Sequence, residues 1–263
     1  MKNRMNTKFL VTTAVFIAIA LVLRSFSILI AAGGILTMRI SFSAIFYVMP
    51  GLLFGPLYGG IAGGLVDILG YMIAPMGAYI PLLTITNIIA GFLPAVLWKR
   101  IKNTDERKIA NSYNVFFIIL FSIGFINFAV TQFMPQSALA KSLTSLGPKS
   151  KYLSLGFMII GAIAIMLFFI NILIKKNSGK AQDFVNSNYF KLVISLGLSG
   201  ILVSTANTFI LMIFTPALMS KGFVFLWAPR IAQALVMTII SSYIICILLY
   251  SYELFEGRIT KKA

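Results

Sequence analysis

The chain reads as an all-α integral membrane bundle of about eight helices with both termini in the cytoplasm. Three observations predict this. The 263 residues are 59% hydrophobic with a mean hydropathy of +0.97, too apolar for a soluble domain. The apolar residues fall into runs near the ~20 residues that cross a bilayer. The basic residues sit at alternate ends of those runs, the signature of positively charged cytoplasmic loops.

The runs are 9–31, 42–54, 57–74, 81–98, 113–134, 153–174, 190–215 and 226–250. The second is short, which suits a tilted or interfacial helix. The first follows Lys2, Arg4 and Lys8 and ends at Ala31-Ala32-Gly33-Gly34, as a cleavable signal would. It is too long for the apolar core of a signal peptide and contains Arg24, so it reads as a membrane helix. Lys and Arg cluster at 2–8, 99–108, 175–191 and 258–262, and the opposite loops carry Lys141, Lys149, Lys151 and Lys221. The net charge of +16 therefore marks topology and contact with anionic lipid, not nucleic acid. Residues 135–152 read as an external loop, with Pro135, Gly147 and Pro148, and 175–189 as a cytoplasmic linker. The whole chain, 1–263, forms one membrane domain.

Four charges interrupt the apolar pattern: Arg24, Arg39, Asp67 and Arg230. A charge at the centre of a membrane helix costs about 2.5–3.5 kcal/mol on insertion scales, so it persists where it pairs, meets water or holds a ligand. The topology puts all four in the outer half of the bundle. Arg39 follows an external turn at Ala32–Thr37. Asn87, Asn207, Thr84, Thr86, Thr205, Thr208, Gln233, Asn127 and Gln132 fall at similar depths, whereas the inner half reads as Leu, Ile, Val, Ala and Gly. That asymmetry predicts an outward-facing polar pocket. Gly60 and Gly64 share the face of Asp67, and Gly63 and Tyr71 flank it at i−4 and i+4, so Asp67 faces the bundle. Ala14 and Ala18 form a small-xxx-small pair turned away from the Arg24 face, toward another helix of this chain or of a partner.

The chemistry is that of binding. There is no histidine, which removes most general-base and His-metal schemes, and the membrane region has one carboxylate. The single cysteine, Cys246, excludes an intrachain disulfide and a cysteine metal cluster. No P-loop is present. No catalytic residue, metal or cofactor is expected. Three guanidiniums suit carboxylates or phosphate. Asp67 and Asn207 can read a hydrogen-bonding ring, and Tyr71, Tyr79 and Trp227 can stack on one. Alternatively, Asp67 pairs with one arginine as internal glue.

Several stretches carry a family resemblance: Met38-Arg39-Ile40-Ser41-Phe42, Gly55-Pro56-Leu57-Tyr58-Gly59-Gly60, Val66-Asp67-Ile68-Leu69-Gly70-Tyr71 and Gly77-Ala78-Tyr79-Ile80-Pro81. With Asn207-Thr208 and Pro229-Arg230-Ile231-Ala232-Gln233, they resemble the S components of energy-coupling factor (ECF) transporters, the folate-specific branch above all. The match is most specific up to about residue 100. The resemblance implies a six-helix bundle that captures a vitamin outside. It also implies docking on a transmembrane T component driven by two cytosolic ATPases, with Ala14 and Ala18 touching the T component. Carried over, Arg39, Asp67 and Arg230 lie at the ligand. Arg24 joins them by depth, and Tyr71, Asn87 and Asn207 complete the expected substrate site. Eight runs against six make 111–175 an inserted helix pair between the N-terminal helices, 1–100, and the C-terminal core helices, 189–252. Folate or a related pterin is the expected substrate. The alternatives are another vitamin or precursor, such as thiamin or riboflavin, or a non-transport membrane protein such as a structural partner or lipid-handling enzyme.

Overall fold

The computed structural model describes residues 7–32, 35–75, 77–138, 140–141, 150–174, 179–219 and 222–260. In chain order the elements are α1 (Thr7–Ser25), β1 (Ile28–Ala32), β2 (Ile35–Ile40), α2 (Ser43–Phe54), α3 (Pro56–Ile73), α4 (Pro81–Ile101) and α5 (Glu106–Phe133). Then come α6 (Ser150–Ile174), α7 (Lys180–Phe214), the single turn α8 (Pro216–Met219) and α9 (Phe223–Thr260). Among the described residues, 6 helices are long and apolar enough to cross a membrane, and Ser43–Phe54 and Ser154–Met166 are shorter apolar helices. The protein is an all-α multi-pass membrane protein.

Local sequence explains most boundaries. Pro56 starts α3 at the first helical turn, where its missing N–H costs nothing, and Gly55 before it takes a positive φ of 114° that breaks α2 from α3. α3 and α4 cross backbone to backbone. A methyl group on Gly59 would strike the Gly91 carbonyl, one on Gly91 the Gly59 carbonyl, and one on Gly63 the Asn87 carbonyl. In a bilayer, where apolar surface alone does not drive helices together, such close approach supplies the packing. Asp105 caps α5 by accepting the Arg107 N–H at 3.1 Å.

Three boundaries differ from the sequence expectation. The first helix does not run to residue 31 but ends at Ser25, and Ile28–Ala32 pairs antiparallel with Ile35–Ile40. Ala32 and Ile35–Thr37 are therefore strand residues, not a turn. The hairpin is apolar and continues an apolar helix, so hydropathy alone gives no break; the β-branched run and the Gly33-Gly34 pair in the sequence are the available signals. Residues 180–189 are not a linker but the first turns of α7, whose Val185, Tyr189 and Phe190 are buried. α9 likewise runs past residue 250 to Thr260. The expected 135–152 loop lies largely outside the described residues.

Two cores hold the bundle. One joins α1 and α3 through Ile17, Ala20, Ala62 and Val66. The other runs from α2 through α5, α6, α7 and α9 around Tyr113, Tyr189 and Phe190. α5 and α6 pack on each other and against α7 and α9. The Tyr113 hydroxyl donates to the Ala164 carbonyl at 3.0 Å, pinning the pair together.

Candidate functional site

A cavity of about 450 Å³ opens between the hairpin, α1, α2, α3, α4, α7 and α9. All seven residues expected at a substrate site, Arg24, Arg39, Asp67, Tyr71, Asn87, Asn207 and Arg230, line it. They come from six elements, brought together only by the fold. Among the described residues, none of α5 or α6 is in the lining. Asn127 and Gln132 on α5 are therefore not part of it, contrary to what their depth suggested. Trp227 is not a stacking wall either: it stacks on Phe223 and donates its indole N–H to Thr205 at 2.9 Å.

Asp67 anchors the charged layer. Its Oδ1 accepts from both terminal nitrogens of Arg24 at 3.2 Å, and Arg24 Nη1 also donates to the Val66 carbonyl at 3.2 Å. Gly70 makes this possible, since a side chain there would collide with the Arg24 guanidinium. Asp67 Oδ2 accepts from the Thr84 hydroxyl at 2.7 Å. Thr84 then has no proton left, so the Tyr79 hydroxyl, 2.7 Å away, donates to it. Both carboxylate oxygens are thus engaged by protein. Asp67 acts as the glue between α1, α3 and α4 and as the counter-charge of Arg24.

The remaining groups frame the mouth. The hairpin is tied to α1 by Ser41, whose hydroxyl donates to the Leu23 carbonyl at 3.2 Å, and to α9 by Gln233, which donates to the Arg39 carbonyl at 2.7 Å. Tyr71 donates to the carbonyl of Gly77, whose φ of 77° favours glycine, and its ring lies 5.0 Å from that of Tyr79. Thr86 on α4 hydrogen-bonds Asn207 on α7, and Asn87 donates back to the Leu83 carbonyl at 2.9 Å.

Electrostatics follow from this pairing. Among the described residues Asp67 is the only carboxylate in the lining. It cancels Arg24, and Arg39 with Arg230 leave the cavity net positive. Burial, then repulsion from Arg24, pull the Arg39 guanidinium below its usual pKa, while Asp67 partly offsets them. A concave site with low-dielectric walls and a surplus of guanidinium attracts and orients an anion. Its volume is in the range that encloses a drug-sized molecule.

The expectation that the inner half is purely apolar does not hold. Ser199, Thr238 and Ser241 line the lower cavity. Serine and threonine carry little hydropathy penalty, so they do not stand out in an apolar run.

Ala14 and Ala18 lie exposed on the outside of α1, beside exposed Val11, Val15 and Val22. They turn away from the α1 side that packs on α3.

Comparison with known proteins gives two findings. The family model described as "ECF-type riboflavin transporter, S component" matches residues 4–172. The protein named "Folate transporter FolT" of Clostridium novyi (strain NT) is 39% identical over 69 residues, which are 26% of this chain and 40% of that protein. No solved structure matches the chain.

Proposed function

We infer the substrate from family and site together: this chain belongs to the family of ECF-type riboflavin transporter S components, and its cavity suits an anionic vitamin, folate or a related pterin first. The carrying observation is the charge of the lining. Among the described residues the lining carries three guanidiniums, Arg24, Arg39 and Arg230, and one carboxylate, Asp67, so its charge is net positive. Folate carries carboxylates that such guanidiniums hold in bidentate fashion. The partial likeness to a folate transporter of Clostridium novyi supports the same reading.

In this proposal Arg39 and Arg230 hold the anionic end, and Tyr71 and Tyr79 form an aromatic wall at the mouth beside it. Asn87 and Asn207 supply polar contacts, and the Arg24–Asp67 pair keeps the wall in shape. Uptake would need energy from outside the chain, which has no P-loop. A transmembrane T component with two cytosolic ATPases is the proposed source, docking on the exposed Ala14/Ala18 face of α1.

A second reading is favoured by one observation: the matching family model is described by riboflavin, a ring system without a carboxylate. Titration of the purified protein with folate, riboflavin and thiamin separates the two. Folate bound with the highest affinity, competed by other dicarboxylates, supports the first reading. Tight riboflavin binding with no response to folate replaces it by the second. If none of the three binds to folded protein, the substrate proposal is wrong.

A further inference from the structure

Below the arginines the cavity continues into the bundle. α9 contributes lining residues from Arg230 down to Ile245, spaced to keep one face of the helix turned inward. From Arg230 to Ser241 the helix rises about 16 Å, and from Asn207 to Ser199 on α7 about 12 Å. Among the described residues, no charged side chain lines this lower end. What lines it instead is Ser199 on α7 and Thr238 and Ser241 on α9.

These three residues are only 2%, 8% and 7% exposed. Helical Ser and Thr usually satisfy themselves by bonding to a carbonyl one turn back. Ser195, Thr205 and Thr208 on α7 and Ser251 on α9 do so here, at 2.7–2.9 Å. Among the described residues, Ser199, Thr238 and Ser241 make no hydrogen bond to protein. They line the cavity with their bonding capacity unspent, open to a ligand or water there. The cleft beside them is open: a methyl group on Gly200 would meet Ala234 Cβ and Thr238 Oγ1 only at 3.8 Å.

We propose that this lower end is a second recognition subsite, for the edge of an uncharged hydrogen-bonding ring. The substrate is then elongated, with its anionic group at Arg39 and Arg230 and its ring about 12–16 Å deeper, by the rise of α7 and α9. The outer half of this picture rests on the anionic-vitamin reading above; the subsite itself rests on the three hydroxyls. It assigns a ring-reading role to Ser199, Thr238 and Ser241, while Asp67 is committed to Arg24 and Thr84.

The test uses the purified chain and three probes: folic acid, p-aminobenzoylglutamate (the anionic part without the pterin ring) and riboflavin. The wild type is expected to bind folic acid more tightly than p-aminobenzoylglutamate. The near-isosteric triple variant S199A/T238V/S241A is expected to lose about 10-fold or more in folic acid affinity. Its affinity for p-aminobenzoylglutamate should stay the same, which also reports an intact outer site. Unchanged folic acid affinity in the variant overturns the subsite and leaves the anionic reading standing. Equal loss of both probes overturns the division into two subsites. If the wild type takes riboflavin and ignores folic acid, the anionic reading falls. The subsite then survives only if the triple variant weakens riboflavin by a similar factor.

Discussion

The Arg24–Asp67 pair sets what the other charged side chains can do. Both partners are mostly buried, with side chains 17% and 11% exposed. Removing one partner of such a pair strands the other charge, at a cost of about 2–4 kcal/mol once partial exposure is allowed for. Asp67→Ala should therefore lower the thermal midpoint of the purified protein by several degrees. The double variant R24M/D67L should recover much of that loss, because it removes both charges and keeps the volume. A double variant less stable than Asp67→Ala would show that the pair is not the source of the effect. Arg39 is in a different position, on a strand at the mouth. Arg39→Gln should leave the midpoint nearly unchanged and weaken folate by about 10- to 100-fold, the worth of one charged hydrogen bond. Titration calorimetry on the variant checks it, and undiminished affinity would remove Arg39 from the site. These four charges were legible in the sequence because a charge in an apolar run is expensive and conspicuous. Thr84, Ser199, Thr238 and Ser241 were harder to see as a group. A hydroxyl costs little in a membrane helix, and its role depends on whether it bonds back to its own helix, which only coordinates reveal.

Helix spacing carries the site, and glycine sets that spacing. Gly59 and Gly91 bring α3 and α4 into backbone contact, with Asp67 later on α3 and Thr84 and Asn87 earlier on α4. Gly59→Ala or Gly91→Ala must push the helices apart, since the obstacle in each case is a carbonyl and not a side chain. Gly60 is the control: an added methyl group there would meet Ile88 at 3.4 Å and Phe92 at 3.5 Å, ordinary contacts. Thermal melts should show Gly60→Ala close to wild type and both other variants lower by about 1–3 kcal/mol. Equal behaviour of all three would contradict the packing argument. On α1 the Ala14/Ala18 face is apolar and uncovered. Ala14→Leu with Ala18→Leu should reduce co-purification with a T component while leaving ligand affinity as it was. Undisturbed co-purification would put the docking surface elsewhere. Most helices were legible from their apolar runs, whereas the hairpin was not. Its residues are as apolar as the helix before them, and a five-residue strand offers too few periods to override that continuity. The start of α7 was missed for the opposite reason. Its exposed Lys180, Ala181 and Asp183 read as a linker, although Val185, Tyr189 and Phe190 already face the core.

For the whole molecule, helix length and basic residues together predict which way the cavity faces the membrane. α5 settles the geometry of two connections. It is 28 residues long, about 42 Å of helix, which exceeds the ~30 Å hydrocarbon thickness. Its two ends therefore emerge on opposite sides. Lys99, Arg100, Lys102, Arg107 and Lys108 gather at its start, and basic residues favour the cytoplasmic side. α4 reaches the same side by its C-terminal end, so its N-terminal end, with Ile80 and Leu83 at the cavity mouth, lies outside. The cavity is then expected to open outward, with the basic ends toward cytoplasm and anionic lipid. The sole cysteine, Cys246, is buried, so a Cys246→Ser background allows labelling at chosen sites. Exposed Gln136 follows α5 and exposed Asn103 precedes it. In intact cells a membrane-impermeant maleimide should label Gln136→Cys and spare Asn103→Cys until the membrane is permeabilised. The reverse pattern would invert the bundle and turn the arginine layer toward the cytoplasm, and a capture site for an external vitamin could not survive that result.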